Sequence, residues 1–185
     1  MDDSEIKRLF FERSEQAITE LDNKYGHIIR KTAHNILNND LDADEIANDT
    51  YLRVWNNIPP QSPDFLAGYV CAIAHNTAVN RYHHDNAEKR CCNYSAVLDE
   101  IEECIPSGAS IDTELEALEL SEAINRFLSA LPREDRYLFV RRYWYADSID
   151  DLCTMTGNKA NHIYVHLFRL RKKLLSALKK EGFLE

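Results

Sequence analysis

Apolar side chains recur every three or four residues through most of the chain, a spacing that is typical of helices. The first such stripe comprises Leu21, Tyr25, Ile28, Ile29, Thr32, Ile36 and Leu37. The polar run at 38–40 predicts the end of that helix. A second helix is predicted to begin at Asp42, with Glu45 completing a variant of the capping box, and to stop before Pro59. A third is predicted after Asp64.

The last third of the chain predicts a helix-turn-helix. After a break at Leu131-Pro132, the pattern predicts a helix from about Arg133 to Tyr145. A short helix follows, capped by Ser148 with Asp151 three residues later. Gly157 is typical of a helix end, and a long basic helix is predicted beyond it.

The segment between these two helical regions is acidic and contains Pro106, Ser107 and Gly108. It predicts a linker with a short helix before Pro106. We therefore expect an all-α fold of two small helical domains, with a domain at 1–90, an acidic linker at 91–119 and a helix-turn-helix domain at 120–185.

The net charge of −9 is unevenly distributed. Residues 1–90 hold 15 acids and 10 bases, residues 91–120 hold eight acids and no base, and residues 121–185 hold eight acids and 12 bases. Only the last region is suited to phosphates. No apolar run is long enough to span a membrane, and the charged N-terminus has no signal-peptide core, so a cytoplasmic location is expected.

The second helix has two distinct faces when it is drawn at 100° per residue. Its predicted core face comprises Ile46, Ala47, Thr50, Tyr51, Val54 and Ile58. The opposite face is acidic but carries Leu52, with Arg53 and Trp55 at its flanks. This pattern is typical of a docking surface, and equally of a solvated face with one stray leucine.

The last helix is similarly divided. Ile163, Leu167, Leu170 and Leu174 form its predicted core stripe, and Asn161, Val165, Phe168 and Lys172 point away from it. A helix of this kind can enter the DNA major groove. Five basic residues are candidates for phosphate contacts: Arg141, Arg142, Arg171, Lys172 and Lys173. The alternative is an ordinary helical hairpin with a solvated basic end.

Three stretches resemble one protein family, in the family's order. DADEIANDTYLRVW resembles the DAEDLVQEVFLRLW signature of region 2 in extracytoplasmic-function (ECF) sigma factors, and AIAHNTAVN is similar to the RIARNLALD that follows it. LSALPREDRYLFVRRYWYADSIDDLCTMTG is similar to region 4. The resemblance covers roughly residues 15–90 and 120–180.

This resemblance implies a non-enzymatic bacterial transcription factor that binds core RNA polymerase and promoter DNA, with an anti-sigma factor as a further candidate partner and no cofactor. The polymerase-binding role carries over to Asp44, Glu45, Asn48, Asp49, Leu52, Arg53 and Trp55. Contact with the minus-10 promoter element carries over to His75, Asn76, Asn80, Arg81 and His84. Contact with the minus-35 element carries over to Lys159, Asn161, His162, Tyr164, Val165, His166, Arg169 and Lys172.

The chain departs from the family pattern at several DNA-facing positions. Family arginines are replaced by Ala72 and His75, and the usual Lys and Arg of the recognition helix are replaced by Tyr164 and His166. Asn158 replaces an apolar residue that normally seats this helix. Each lost phosphate contact lowers affinity for DNA. The alternative function is therefore a sigma-like regulator that binds polymerase and has lost promoter recognition.

Two further hypotheses concern the linker and its cysteines. The linker acids are expected to repel DNA and are candidates for filling a basic channel, or they form a simple spacer: Asp99, Glu100, Glu102, Glu103, Asp112, Glu114, Glu116 and Glu119. His83-His84 and Cys91-Cys92 are candidate soft metal ligands, but their spacing fits no standard zinc site, so no metal is predicted. No phosphate loop, nucleophile motif or HExxH indicates an enzyme.

Overall fold

Helices account for all the regular secondary structure in the described part of the chain. The computed structural model describes residues 1–85, 92–102 and 114–183. These residues form helices without a strand, so the predicted all-α class is confirmed for them. Contacts divide the chain into a first unit, Met1–Tyr94, and a second unit, Ser95–Glu185.

The first unit is built around α2. It contains α1 (Asp3–Phe11), α2 (Gln16–Leu37), α3 (Asp40–Asn57) and α4 (Leu66–Asp85), and α2 packs against the other three. The core of this unit is mainly apolar, with Leu21, Ile29 and Val54 at no more than 1% exposure. Truncating one such side chain to alanine typically costs about 2–5 kcal/mol, so these contacts fix the relative placement of α2, α3 and α4.

A polar contact also ties α2 to α3. The Tyr51 hydroxyl donates to the Asp22 carboxylate at 2.5 Å, and Arg30 Nη1 donates to the same oxygen at 2.7 Å. These two donors hold the pKa of Asp22 below its usual value.

Helix α3 begins two residues before the predicted start. Asn39 is its N-cap, and the Asn39 side chain accepts from the amides of Leu41 and Asp42. The prediction that Asp42 caps this helix is therefore wrong, because an asparagine three residues upstream already satisfies the free amides. The end of α2 is as predicted: Asn38 adopts the left-handed conformation that often terminates helices.

The second unit is a helical bundle that ends in a helix-turn-helix. The division between the two units falls within α5 (Cys92–Glu102), so the second unit begins with most of that helix. It continues with α6 (Glu114–Ala130), α7 (Arg133–Tyr143), α8 (Ile149–Thr156) and α9 (Ala160–Lys180). One core cluster joins α6, α7 and α9, and another joins α7, α8 and α9. Helices α5 and α6 occupy much of the segment predicted as a linker; residues 103–113 of that segment lie outside the described residues.

The turn between α8 and α9 follows the predicted chemistry. Ser148 caps α8, and its hydroxyl and the Asp151 carboxylate form a complete capping box. Gly157 ends α8 with φ of +70°, a conformation that costs little only for glycine.

None of the helices in the described ranges combines the length and the apolar composition that crossing a bilayer requires.

Candidate functional site

The solvent-facing side of α3 is the first candidate site. Six of the seven predicted polymerase-binding residues are exposed there, and we call them the outer face of α3: Asp44, Glu45, Asn48, Asp49, Leu52 and Arg53. Leu52 is 57% exposed. The predicted core residues on the other side are all buried, from Ile46 to Ile58. The apolar Leu52 side chain is therefore exposed to solvent within an acidic stripe, and the opposite side of α3 is buried in the core of the first unit.

Trp55 differs from the other six residues because it is half-buried. Its ring lies 6.1 Å from that of Phe10 in an edge-on arrangement, and the Arg13 guanidinium stacks 5.3 Å from the ring centre. Arg13 Nη1 also donates to the Trp55 carbonyl at 2.6 Å. Trp55 thus joins α3 to α1 and to the turn that follows it.

We expect Trp55→Ala to lower the free energy of unfolding of the first unit by about 2–3 kcal/mol, because the truncation leaves a cavity beside Phe10. Leu52→Ala should change it by less than about 0.5 kcal/mol, since Leu52 is solvated. Hydrogen exchange of the α2 amides measures both effects. Equal protection in the two variants would contradict the packing role of Trp55.

Two carboxylates of the outer face of α3 are held by neighbouring helices. Arg30 Nε of α2 lies 2.9 Å from the Asp44 carboxylate, and Arg81 Nη2 of α4 lies 3.2 Å from that of Glu45. Asp49 forms no ion pair with any residue that the structure describes. The centre of the face, at Asp49 and Leu52, is therefore the part that offers an uncompensated charge beside an apolar side chain.

The predicted minus-10 residues of α4 fall into two groups. Asn76, Asn80 and His84 are exposed and follow one another at four-residue intervals, so they share one stripe. His75 is half-buried, and burial lowers its pKa below the usual value, which leaves its ring uncharged at neutral pH. Arg81 is half-buried in ion pairs with Glu45 and with Asp42. The exposed stripe of this helix therefore consists of two amides and an imidazole, and the charge of Arg81 is engaged by carboxylates.

The outward side of α9 carries the predicted minus-35 residues. Seven of the eight are exposed: Lys159, Asn161, His162, Tyr164, Val165, Arg169 and Lys172. The eighth, His166, is half-buried, and its Nε2 lies 2.9 Å from a carboxylate oxygen of Asp135 on α7. The predicted core stripe of α9 is buried as expected. The second helix of the helix-turn-helix thus projects a mixed polar and aromatic surface, with Phe168 47% exposed on it.

Three of the five basic residues predicted to hold phosphates point into the second unit. Arg142 is 3% exposed, and its Nη1 donates to the Asp147 carbonyl at 2.9 Å. Arg141 pairs with the fully buried carboxylate of Asp147. The prediction that Arg142 contacts phosphates is therefore wrong, whereas Arg141 is half-buried and its charge is engaged by Asp147. Arg171 pairs with Glu100, whereas Lys172 and Lys173 are exposed.

The comparison with known families gives a match that lies within the first unit. Residues 21–87 match the family model of sigma-70 region 2. The region 2 segment contains most of α2 and all of α3 and α4, and so both the outer face of α3 and the α4 stripe. This match shows that residues 21–87 of the first unit are similar to sigma-70 region 2. No curated protein matches the chain significantly.

The structure describes only two of the four candidate metal ligands. His83 and His84 are exposed at the end of α4, Cys91 lies outside the described residues, and the side chain of Cys92 is not described. Among the residues that are described, no group of three His, Cys, Asp or Glu side chains is placed to hold a metal ion.

Sequence reasoning missed several features of this site. Helix α1 was not predicted, although Asp2 and Glu5 form a capping box ahead of Ile6, which is a recognisable signal. Leu41 is 81% exposed, and it precedes Glu45 by four residues, so it extends the stripe of the outer face of α3. The Arg13 contact with Trp55 spans 42 residues, and no local pattern reports it.

Proposed function

We propose that this chain is a sigma factor of the extracytoplasmic-function type. It binds core RNA polymerase through the outer face of α3 and directs the enzyme to promoters through α4 and α9. An anti-sigma factor is a further proposed partner. The observation that carries this proposal is the match of residues 21–87 to sigma-70 region 2, because that segment contains the outer face of α3.

The chemistry of α3 supports a protein partner at this face. Leu52 is 57% exposed, and beside it lies the exposed Asp49, which has no ion-pair partner among the described residues. Burying a leucine of this exposure on binding yields about 1–2 kcal/mol, and the acids favour a basic partner surface. Because the core side of α3 is packed in the free protein, binding at the outer face of α3 costs little backbone conformational entropy.

The polar residues of α4 and α9 support contact with nucleic acid. Asn76 and Asn80 on α4 offer exposed amide groups that can form hydrogen bonds with base edges, and Asn161 offers the same group on α9. Lys172, Lys173 and Arg169 add exposed positive charge on α9 for phosphates.

One observation favours a second candidate function. Arg142 is buried within its own unit and Arg171 is paired with Glu100, which removes two cations from the surface of the helix-turn-helix. A chain with few phosphate contacts binds DNA weakly. The second candidate is therefore a sigma-like regulator that binds polymerase without promoter recognition.

A binding measurement with purified bacterial core RNA polymerase tests the shared part of both candidates. We expect saturable binding with one chain per polymerase, and we expect a housekeeping sigma factor to compete with it for the same site. Absence of saturable binding would contradict both candidates. Simultaneous binding of this chain and the competitor would show that the outer face of α3 is not used as proposed.

A further inference from the structure

A glutamate from the end of α5 lies at the centre of a cluster of arginines in the second unit. Glu100 Oε1 accepts from Arg142 Nη2 at 2.7 Å, and Glu100 Oε2 accepts from Arg171 Nη1 at 3.0 Å and from the Tyr143 hydroxyl at 2.9 Å. Arg171 Nη1 also donates to the Tyr143 oxygen at 2.7 Å. Both oxygens of this carboxylate are thus used by residues of α7 and α9.

The cluster is shielded from water, so its pairs are only weakly screened. The side chain of Glu100 is 21% exposed, that of Arg171 is 11% exposed and that of Arg142 is 4% exposed. Ile101, the next residue of α5, packs against the core that α6, α7 and α9 share. The apolar contact of Ile101 therefore seats the Glu100 carboxylate against the two arginines.

The two arginines differ in where they lie in the second unit. Arg142 is anchored a second time, because its Nη1 donates to the Asp147 carbonyl. Arg171 lies at the border of the outward surface of α9, with its guanidinium 5.9 Å from the ring of the exposed Phe168. Lys172 approaches the same ring, at 5.4 Å. A rotation of the Arg171 side chain away from Glu100 would bring its charge beside Lys172, on the surface that faces DNA in the proposed function.

Carboxylates and phosphates bind guanidinium groups with the same geometry. We propose that Glu100 occupies, at Arg171, the place of a DNA phosphate, so that α5 restrains DNA binding by α9 until this ion pair opens. This inference rests on the proposed function, because it takes α9 as the DNA-contacting helix. Glu100 belongs to the same chain, so its effective concentration at Arg171 is high and a single phosphate displaces it poorly.

The neighbouring residue provides a matched control. Asp99 precedes Glu100 on α5, is exposed, and forms no contact with the arginines. Glu100→Gln and Asp99→Asn each remove one negative charge from the same helix. Any difference between the two variants therefore reports the contact of Glu100 rather than the change in net charge.

The test measures binding to a 20-base-pair DNA duplex of arbitrary sequence, by fluorescence anisotropy, from about 50 to about 200 mM salt. Freeing one phosphate-binding residue should steepen the slope of log affinity against log salt by about 0.9, so Glu100→Gln should exceed Asp99→Asn in slope by that amount. Because of this difference in slope, the ratio of the affinity of Glu100→Gln to that of Asp99→Asn should be about threefold larger at about 50 mM salt than at about 200 mM. Arg171→Gln alone should leave the slope unchanged, and in the Glu100→Gln background it should abolish the gain.

A second substitution keeps the test decisive if Glu100→Gln unfolds the second unit, which circular dichroism would show. Glu100→Asp retains the charge but withdraws the carboxylate by one methylene, and it should also steepen the slope. Equal slopes for the Glu100 and Asp99 variants, or a gain that persists with Arg171→Gln, would overturn the proposal, as would no detectable DNA binding by any Glu100 variant.

Failure of this inference is distinguishable from failure of the proposed function. A wild-type chain that directs promoter-specific transcription while the slopes are equal refutes the restraint alone. A steeper slope for Glu100→Gln, in a chain that directs no promoter-specific transcription, supports the restraint and refutes the proposed function.

Discussion

Asp49→Lys combined with Leu52→Ala should weaken binding to core RNA polymerase at least about 30-fold, or about 2 kcal/mol. The two residues lie three positions apart on the outer face of α3, where Leu52 is 57% exposed and Asp49 has no basic partner in the described ranges. The lysine places a positive charge on a face whose acids favour a basic partner surface. The alanine removes the apolar contact at the centre of the face.

A matched control comes from the same unit. Glu12→Lys combined with Phe11→Ala makes the same kinds of change at the end of α1, where Phe11 is 47% exposed. Glu12 is also exposed, and its surface ion pair with Arg8 contributes at most about 1 kcal/mol. Surface substitutions of this kind change stability little. We expect this control to bind polymerase within about threefold of the wild-type chain. Equal losses in both double variants would show that binding does not depend on the outer face of α3.

Arg142→Met should lower the free energy of unfolding of the second unit by about 3 kcal/mol, the usual cost of removing one partner from a buried ion pair. Arg142 is 3% exposed, and it joins the Glu100 carboxylate to the Asp147 carbonyl. Its loss leaves a buried carbonyl without this donor and removes one of the two guanidinium groups that neutralise Glu100.

Lys172→Met is the comparison, because Lys172 carries the same charge in an exposed position on α9 and should cost less than about 1 kcal/mol. The two tryptophans, Trp55 and Trp144, lie in different units. In a Trp55→Phe background, the fluorescence of Trp144 during urea unfolding therefore follows the second unit. A cost for Arg142→Met no larger than that for Lys172→Met would contradict the structural role of Arg142.

The parts of the fold that depend on short-range periodicity were predictable from the sequence. The angular position of each residue on α3 separates Ile46 and Val54 from Asp49 and Leu52, and burial in the structure follows that division. Ser148 and Gly157 set the limits of α8 through contacts within a few residues. Such features need only the local chain, because helix geometry and capping are local.

The parts that depend on contacts between distant residues were not predictable. Arg142 looks like a surface cation in sequence, but its partner Glu100 lies 42 residues away on another helix. Trp55 looks like a docking residue, but Phe10 and Arg13 half-bury it from the other end of the first unit. A charged or aromatic residue carries no local sign of whether its partner lies in the same chain or in another protein.

Promoter selection is tested most directly by mapping the 5′ ends of transcripts that core RNA polymerase makes from bacterial genomic DNA, with and without the purified chain. The proposed function predicts new start sites that share a two-part sequence motif upstream, and predicts that Asp49→Lys with Leu52→Ala removes them. An unchanged set of start sites, from a polymerase shown to have the chain bound, would contradict promoter selection. It would favour the second candidate function, a sigma-like regulator that binds polymerase without promoter recognition.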